Sequence, residues 1–166
     1  MILPDVLQNN LKVVFCGMAA GNKSAERNQY YAGAGNKFYK VLHHISLTPH
    51  QLNPSEFKQL PKYDLGLTDL VKKTFGNDNV LKKEDFDVNE FKLKIEKYKP
   101  QIVCFNGKAA ASVFIYGKKN KTQNINYGLL PNSIGSTKLY VAPSTSGAAN
   151  SSWDIKVWED LTNYIK

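Results

Sequence analysis

The sequence predicts an α/β fold in which a mostly parallel sheet carries helices on both faces. Short β-branched and aromatic runs, LKVVFCG, PQIVCFNG and KLYVA, alternate along the chain with segments of helical apolar spacing, the pattern of βαβ units. The runs read as buried strands. Ligands bind at the carboxyl ends of strands in sheets of this kind, which selects three loops, Gly17–Gly35, Asn106-Gly107-Lys108 and Pro143–Asn150, the first and third rich in glycine, alanine, serine and asparagine.

Residues 12–16 form the first strand, closed by Gly17. Residues 36–45 carry Phe38, Val41, Leu42 and Ile45 at helical spacing. Asn53-Pro54-Ser55-Glu56 is a helix start, with a capping asparagine and then proline at the first helical position. Residues 63–70 are a loop or short strand. Residues 87–98 form an amphipathic helix with Val88, Phe91, Ile95 and Tyr98 inward and lysines outward, stopped by Pro100. Residues 101–106 are the second strand, which Gly107 turns into a helix over 108–116. Residues 118–123 form a basic loop. Residues 138–142 are the third strand, 143–152 a small-residue segment, and 153–165 a closing helix with Val157, Trp158, Leu161 and Ile165 on one face.

A chain of 166 residues is expected to form one domain, 1–166, with room for a real core. Apolar residues make up 42% and charged residues 22%, a globular composition rather than a disordered one. The apolar runs are far shorter than the ~20 residues of a membrane span. The first residues, MILPDVLQNN, have no basic leader or small-residue cleavage site. The expectation is a cytoplasmic, nucleoid-associated protein of bacterial type with no membrane partner. Twenty-two basic residues against 14 acidic ones give a net charge of +8, which favours a polyanionic partner. The excess is almost all lysine, suited to attracting phosphates rather than reading bases. The two cysteines, Cys16 and Cys104, lie inside apolar runs and read as buried thiols on neighbouring strands. Neither they nor His43, His44 and His50 have the spacing of a metal site, so no metal is expected.

Three loops at the strand ends can carry chemistry. Gly17-Met18-Ala19-Ala20-Gly21 lacks the GxGxxG and GKS/GKT patterns of nucleotide sites. Its amides can serve an anion or a carbonyl oxygen, or the segment is simply a tight turn. Gln29-Tyr30-Tyr31-Ala32-Gly33-Ala34-Gly35-Asn36 offers an aromatic face for a base and an amide for a base edge. The alternative is a core tyrosine beside a capping asparagine. Pro143-Ser144-Thr145-Ser146-Gly147-Ala148-Ala149-Asn150 suits phosphate positioning, or caps the last helix. No GxSxG elbow supports a serine hydrolase. Asp69, in GLTDL, can orient water and stabilise a cationic sugar, or cap loop amides.

The ordered strings VVFCGMAAG, YYAGAGNKFYKVL, LGLTDLV, PQIVCFNGKAA and VAPSTSGAANSSWDIKVWEDL resemble the mismatch-specific uracil/thymine-DNA glycosylase family, part of the uracil-DNA glycosylase superfamily. The resemblance spans residues 12–161. It implies a three-layer α/β/α sandwich and cleavage of the N-glycosidic bond of uracil or another deaminated base in single- or double-stranded DNA. The product would be an abasic site, as in base-excision repair. It implies no metal and no organic cofactor, and a protein expected to act as a monomer. It places Gly17, Met18, Ala19 and Gly21 against the flipped base, Tyr31 as the stacking aromatic, and Asn36 near the base pocket. Ser144, Thr145, Ser146, Gly147 and Ala148 would grip DNA and fill the gap left by the flipped nucleotide.

Two departures stand out. Many relatives have asparagine, which positions the attacking water, where this chain has Ala19. Asn36 and Asp69 are the candidates to replace it, Asn36 because the related hypoxanthine-DNA glycosylase branch shares the YYA…N…F arrangement. Ala148 stands where relatives often carry a bulkier wedge. A methyl group fills little of a base stack, which predicts weak duplex invasion and tolerance of single strands. Three alternatives stay open: a hypoxanthine-DNA glycosylase, a catalytically weak or inactive DNA-binding module of the same fold, and a Rossmann-like binder of a free nucleotide or phosphometabolite.

Overall fold

The computed structural model describes residues 2–76, 81 and 86–166. Among them five strands form one sheet: β1 (Val13–Gly17), β2 (Leu65–Asp69), β3 (Ile102–Asn106), β4 (Gly128–Ile134) and β5 (Thr137–Ala142), in the order β2-β1-β3-β5-β4. The β2, β1, β3 and β5 strands run parallel, and β4 is antiparallel to β5. The helices are α1 (Asn22–Arg27), α2 (Phe38–His44), α3 (Val88–Tyr98), α4 (Lys108–Tyr116) and α5 (Ile155–Leu161), with a 3-10 helix at Pro54–Tyr63.

The strands alternate in period two, and the core divides accordingly. Val13 and Phe15 face one layer with Phe38, Leu42, Phe57, Leu60, Trp158 and Leu161. Val14 and Cys16 face the other with Phe91, Ile95, Ala110, Ala111 and Val113. So α2, α5 and the 3-10 helix cover one face and α3 and α4 the other, the three-layer arrangement expected. Phe15 anchors the first layer, edge-on to Phe38 at 5.2 Å and stacked on Trp158 at 5.8 Å. Such ring pairs add about 0.5–1.5 kcal/mol beyond burial. Cys16 and Cys104 are free and buried on adjacent strands, in opposite layers.

The differences from the sequence reading have local causes. Segment 63–70 resolves into a fully buried strand, β2. The helix expected at 36–45 is Phe38–His44, because Asn36 stays outside and accepts from Phe38 N at 3.0 Å. The start at Asn53 holds, with Asn53 N donating to Glu56 Oε1 at 2.9 Å. The helix it opens is 3-10, with Pro61 inside it offering no amide donor. In α3, Phe91 and Ile95 are buried while Val88 and Tyr98 are half-buried. The closing helix begins at Ile155, capped by Asp154 accepting from Lys156 N at 3.0 Å, and ends at Leu161 in a 3-10 turn.

Two elements give little sequence signal. The edge strand β4 is mostly exposed, contains Pro131 and is irregular in register between Leu129 and Ser133, as edge strands tolerate. The six-residue α1 buries only Ser24, too little for an apolar period.

Candidate active site

Four parallel strands point their carboxyl ends the same way, and the loops leaving them enclose a cleft of about 560 Å³. Its floor is the turn after β1: Gly17, Met18, Ala19 and Gly21 all line it. Segment 70–76 is laced to that turn, with Leu70 N donating to Gly17 O at 3.0 Å, Val71 N to Met18 O at 2.7 Å, and Gly76 N to Ala20 O at 2.9 Å.

One wall carries Tyr31 and Asn36, which line the same cleft. The adjacent tyrosines divide their roles. Tyr30 is a core residue, 2% exposed, with its hydroxyl donating to Pro4 O at 3.0 Å. Tyr39 Oη donates to Tyr30 O at 2.6 Å, and Ala32 N to Ser24 Oγ at 3.0 Å, so the chain on either side of Tyr31 is held. Tyr31 sits at φ +55°, the left-handed region that a bulky residue adopts only when its surroundings impose it. Its ring lies 4.2 Å from Phe38 at 31°, continuous with the Phe38–Phe15–Trp158 stack. Its hydroxyl is buried without a hydrogen-bond partner among the described residues. Burial, then the Asp69 charge, push that hydroxyl's pKa well above its usual value, and the neighbouring Asn106 side chain opposes them only in part.

Asn36 does two jobs. Its Oδ1 accepts from Phe38 N, which fixes the amide's orientation and turns one oxygen lone pair and the NH2 group to other uses. Asn36 thus holds the amide at the start of α2 and also lines the cleft.

The opposite wall is the segment after β5. Ser144, Thr145, Ser146 and Ala148 line the cleft, and Gly147 does not. Gly147 instead meets Gly35 back to back: a Cβ on Gly147 would lie 3.2 Å from Gly35 Cα. Beside that contact Lys37 N donates to Thr145 O at 2.9 Å, and Lys37 Nζ donates to Asn150 Oδ1. The two walls are therefore zipped at one end. Thr145 is 1% exposed, and its polar groups are engaged by Asn106: Thr145 N donates to Asn106 Oδ1 and Asn106 Nδ2 to Thr145 Oγ1, each at 2.9 Å. Ser144 Oγ accepts from Ser146 N at 3.2 Å and Ser146 Oγ from Ala148 N at 3.3 Å, so these serines also shape the loop.

Asp69 stands apart from this cleft. It is level with Gly17 in the β1–β2 register and 4% exposed. Its Oδ1 would lie 2.9 Å from a Cβ on Gly17, a position 3.3 Å from Tyr31 Oη. Only glycine leaves room for the acid and the phenol behind the turn. Burial pushes the Asp69 carboxyl up to about 6, with Asp5 adding to the rise and Lys72, the Gly17 amide and Lys94 opposing it. Asp5, beneath it, binds Lys72 Nζ at 2.9 Å and accepts from Thr68 Oγ1 at 2.7 Å. Burial raises the Asp5 pKa, but Lys72, Lys94 and Thr68 together outweigh that and hold it below its usual value.

Electrostatically the cleft suits an anion. Lys23 and Lys108 line it, and no aspartate or glutamate is among its described lining residues. No cluster of three or more His, Cys, Asp or Glu among the described residues has metal-site geometry. Residues without an assigned role at the level of sequence are Asn106, Lys108, Asn22 and Lys23. Asn106 and Lys108 belong to the loop after β3 that the strand-end rule selects, and they line the cleft. Asn22 and Lys23 belong to the helix that has no apolar period.

Compared with known proteins, the chain matches the uracil DNA glycosylase superfamily over residues 4–162. Its structure resembles the solution NMR structure of a Methanosarcina acetivorans protein described as a "putative uracil DNA glycosylase". The TM-score is 0.63 and the identity 21%, with 96% of each chain covered, a likeness that carries the fold.

Proposed function

The chain belongs to the uracil-DNA glycosylase superfamily, and from that premise we propose that it is a monofunctional hydrolase releasing uracil, or another deaminated base, from DNA. The single observation carrying this reading is that Tyr31 and Asn36 face one cleft with the Gly17–Gly21 turn as its floor and no acid among its described lining residues. An extruded base fits against the Tyr31 ring, and contacts of this type are worth roughly 1–3 kcal/mol. The floor turn and the Asn36 NH2 face its polar edge. Lys23 and Lys108 draw in the phosphates.

In the reaction, the bond between C1′ and the glycosidic nitrogen breaks and its electron pair leaves with the base. Hydrogen bonds from the turn and from Asn36 stabilise the departing anion in a partly water-excluded site. Water adds to the cationic C1′ and loses a proton, and an abasic site remains. Of the two candidates for handling that water, Asn36 lines the cleft and Asp69 does not. We therefore assign the water to the remaining lone pair of Asn36 Oδ1. Asp69 contributes a buried negative charge beneath the turn, favourable to a cationic sugar.

The test is base release from single- and double-stranded oligonucleotides carrying uracil, hypoxanthine, xanthine or thymine opposite guanine. Release of any deaminated base, reduced roughly 10²–10⁴-fold by Asn36→Ala, supports the reading; no release from any of them defeats it. Ala19, a methyl in the base-facing turn, favours a second reading, a module that holds damaged DNA without cutting it. Tight binding of uracil-DNA without release would select that one.

A further inference from the structure

We propose that Phe75 is the side chain that enters the duplex base stack when the target nucleotide is extruded, an inference that rests on the glycosylase reading above. The residue at the opposite rim, Ala148, offers only a methyl group, too small to take the place of a base. Phe75 is 46% exposed, a large aromatic left in water at a cost that packing elsewhere in the fold does not relieve.

Its place makes the exposure meaningful. The next residue, Gly76, lines the cleft and is bound to the floor turn through Ala20 O at 2.9 Å. Gly76 sits at φ +129°, a conformation that side-chain-bearing residues rarely adopt, so the backbone beside Phe75 is pinned rather than free to swing away. Among the described residues the other large exposed apolar side chains are Leu93, Tyr116, Leu129 and Ile155. None of them adjoins a cleft-lining residue in the chain. The strand order puts the segment after β2 at one edge of the cleft and the segment after β5 beyond its other side. A duplex lying across the strand ends would meet Phe75 on one flank and the Ser144–Ala148 loop on the other. The exposed Lys73, two residues before Phe75, adds positive charge to that flank. An aromatic ring tolerates any neighbouring base, because every base has a π-face.

The experiment compares the native protein with Phe75→Ala and Phe75→Trp on the same uracil site in single- and double-stranded DNA. In parallel, 2-aminopurine placed beside a 2′-fluoro-substituted deoxyuridine, which resists hydrolysis, reports unstacking of the duplex. Phe75→Ala is expected to lower the duplex-to-single-strand ratio of kcat/KM roughly ten- to hundredfold and to abolish the 2-aminopurine rise; Phe75→Trp restores both. An unchanged ratio, or equal loss on both substrates, overturns the proposal. If the native protein releases no base from either form, the glycosylase reading falls and the fluorescence decides alone: a rise that Phe75→Ala abolishes upholds insertion, and no rise overturns it.

Discussion

Replacing Asp69 by asparagine is expected to stabilise the fold at neutral pH and above and to change little near pH 4. Asp69 is 4% exposed, and its carboxyl titrates at about 6 against 3.8 for a free aspartate. A group whose pKa rises on folding binds its proton more tightly in the native state, so stability falls as pH increases between the two values. Its contribution is complete below 3.8 and lost as pH passes about 6. At about 1.36 kcal/mol per pH unit, the gap corresponds to roughly 3 kcal/mol. Asparagine mimics the neutral acid and keeps an oxygen for the Gly17 amide. The difference between Asp69→Asn and native should therefore grow from about 0.5 kcal/mol at pH 4 to about 3 kcal/mol by pH 7. Urea unfolding of both proteins at half-unit steps from pH 4 to 8 measures it. A difference that is constant with pH, or that favours the native protein at pH 7, refutes the argument. If the Asp69 charge assists the cationic sugar, the stabler variant is also the slower one, a familiar exchange of stability for activity.

Other perturbations probe the same geometry. Gly17→Ala would set a Cβ 2.9 Å from Asp69 Oδ1 and 3.3 Å from Tyr31 Oη; a loss of about 1–3 kcal/mol in urea unfolding is expected, together with lost base release. Gly147→Ala, with its Cβ 3.2 Å from Gly35 Cα, should part the zipped walls and reduce base release while costing at most about 1 kcal/mol of stability. Tyr31→Phe removes a buried hydroxyl that has no hydrogen-bond partner among the described residues, so unfolding should show equal or slightly higher stability, whereas Tyr31→Ala loses the ring facing the base and should weaken binding of uracil-DNA. DNA affinity measured from 50 to 200 mM salt should fall linearly in log–log form, with a slope reporting the number of phosphates held.

Much of the architecture is legible in the chain, because buried parallel strands and amphipathic helices are written locally, as period and composition. LKVVFCG and PQIVCFNG announce β1 and β3, and Phe91 and Ile95 the inner face of α3. Where burial does not set the residue types, the signal is lost: β4 is an exposed edge, and α1 rests on one buried serine. The loops at the strand ends announce a site, but not its internal arrangement. Asn36 and Asp69 look equivalent as polar residues near those ends. Only the folded chain puts Asn36 in the cleft and Asp69 behind Gly17, because that choice depends on which side of a two-residue register a side chain emerges. Likewise Thr145 reads as a free hydroxyl until Asn106, 39 positions earlier, engages both its hydroxyl and its backbone amide. Local chemistry determined the elements and the loops that matter; distances between residues far apart in sequence decided which side chains meet a ligand, since no local pattern encodes them.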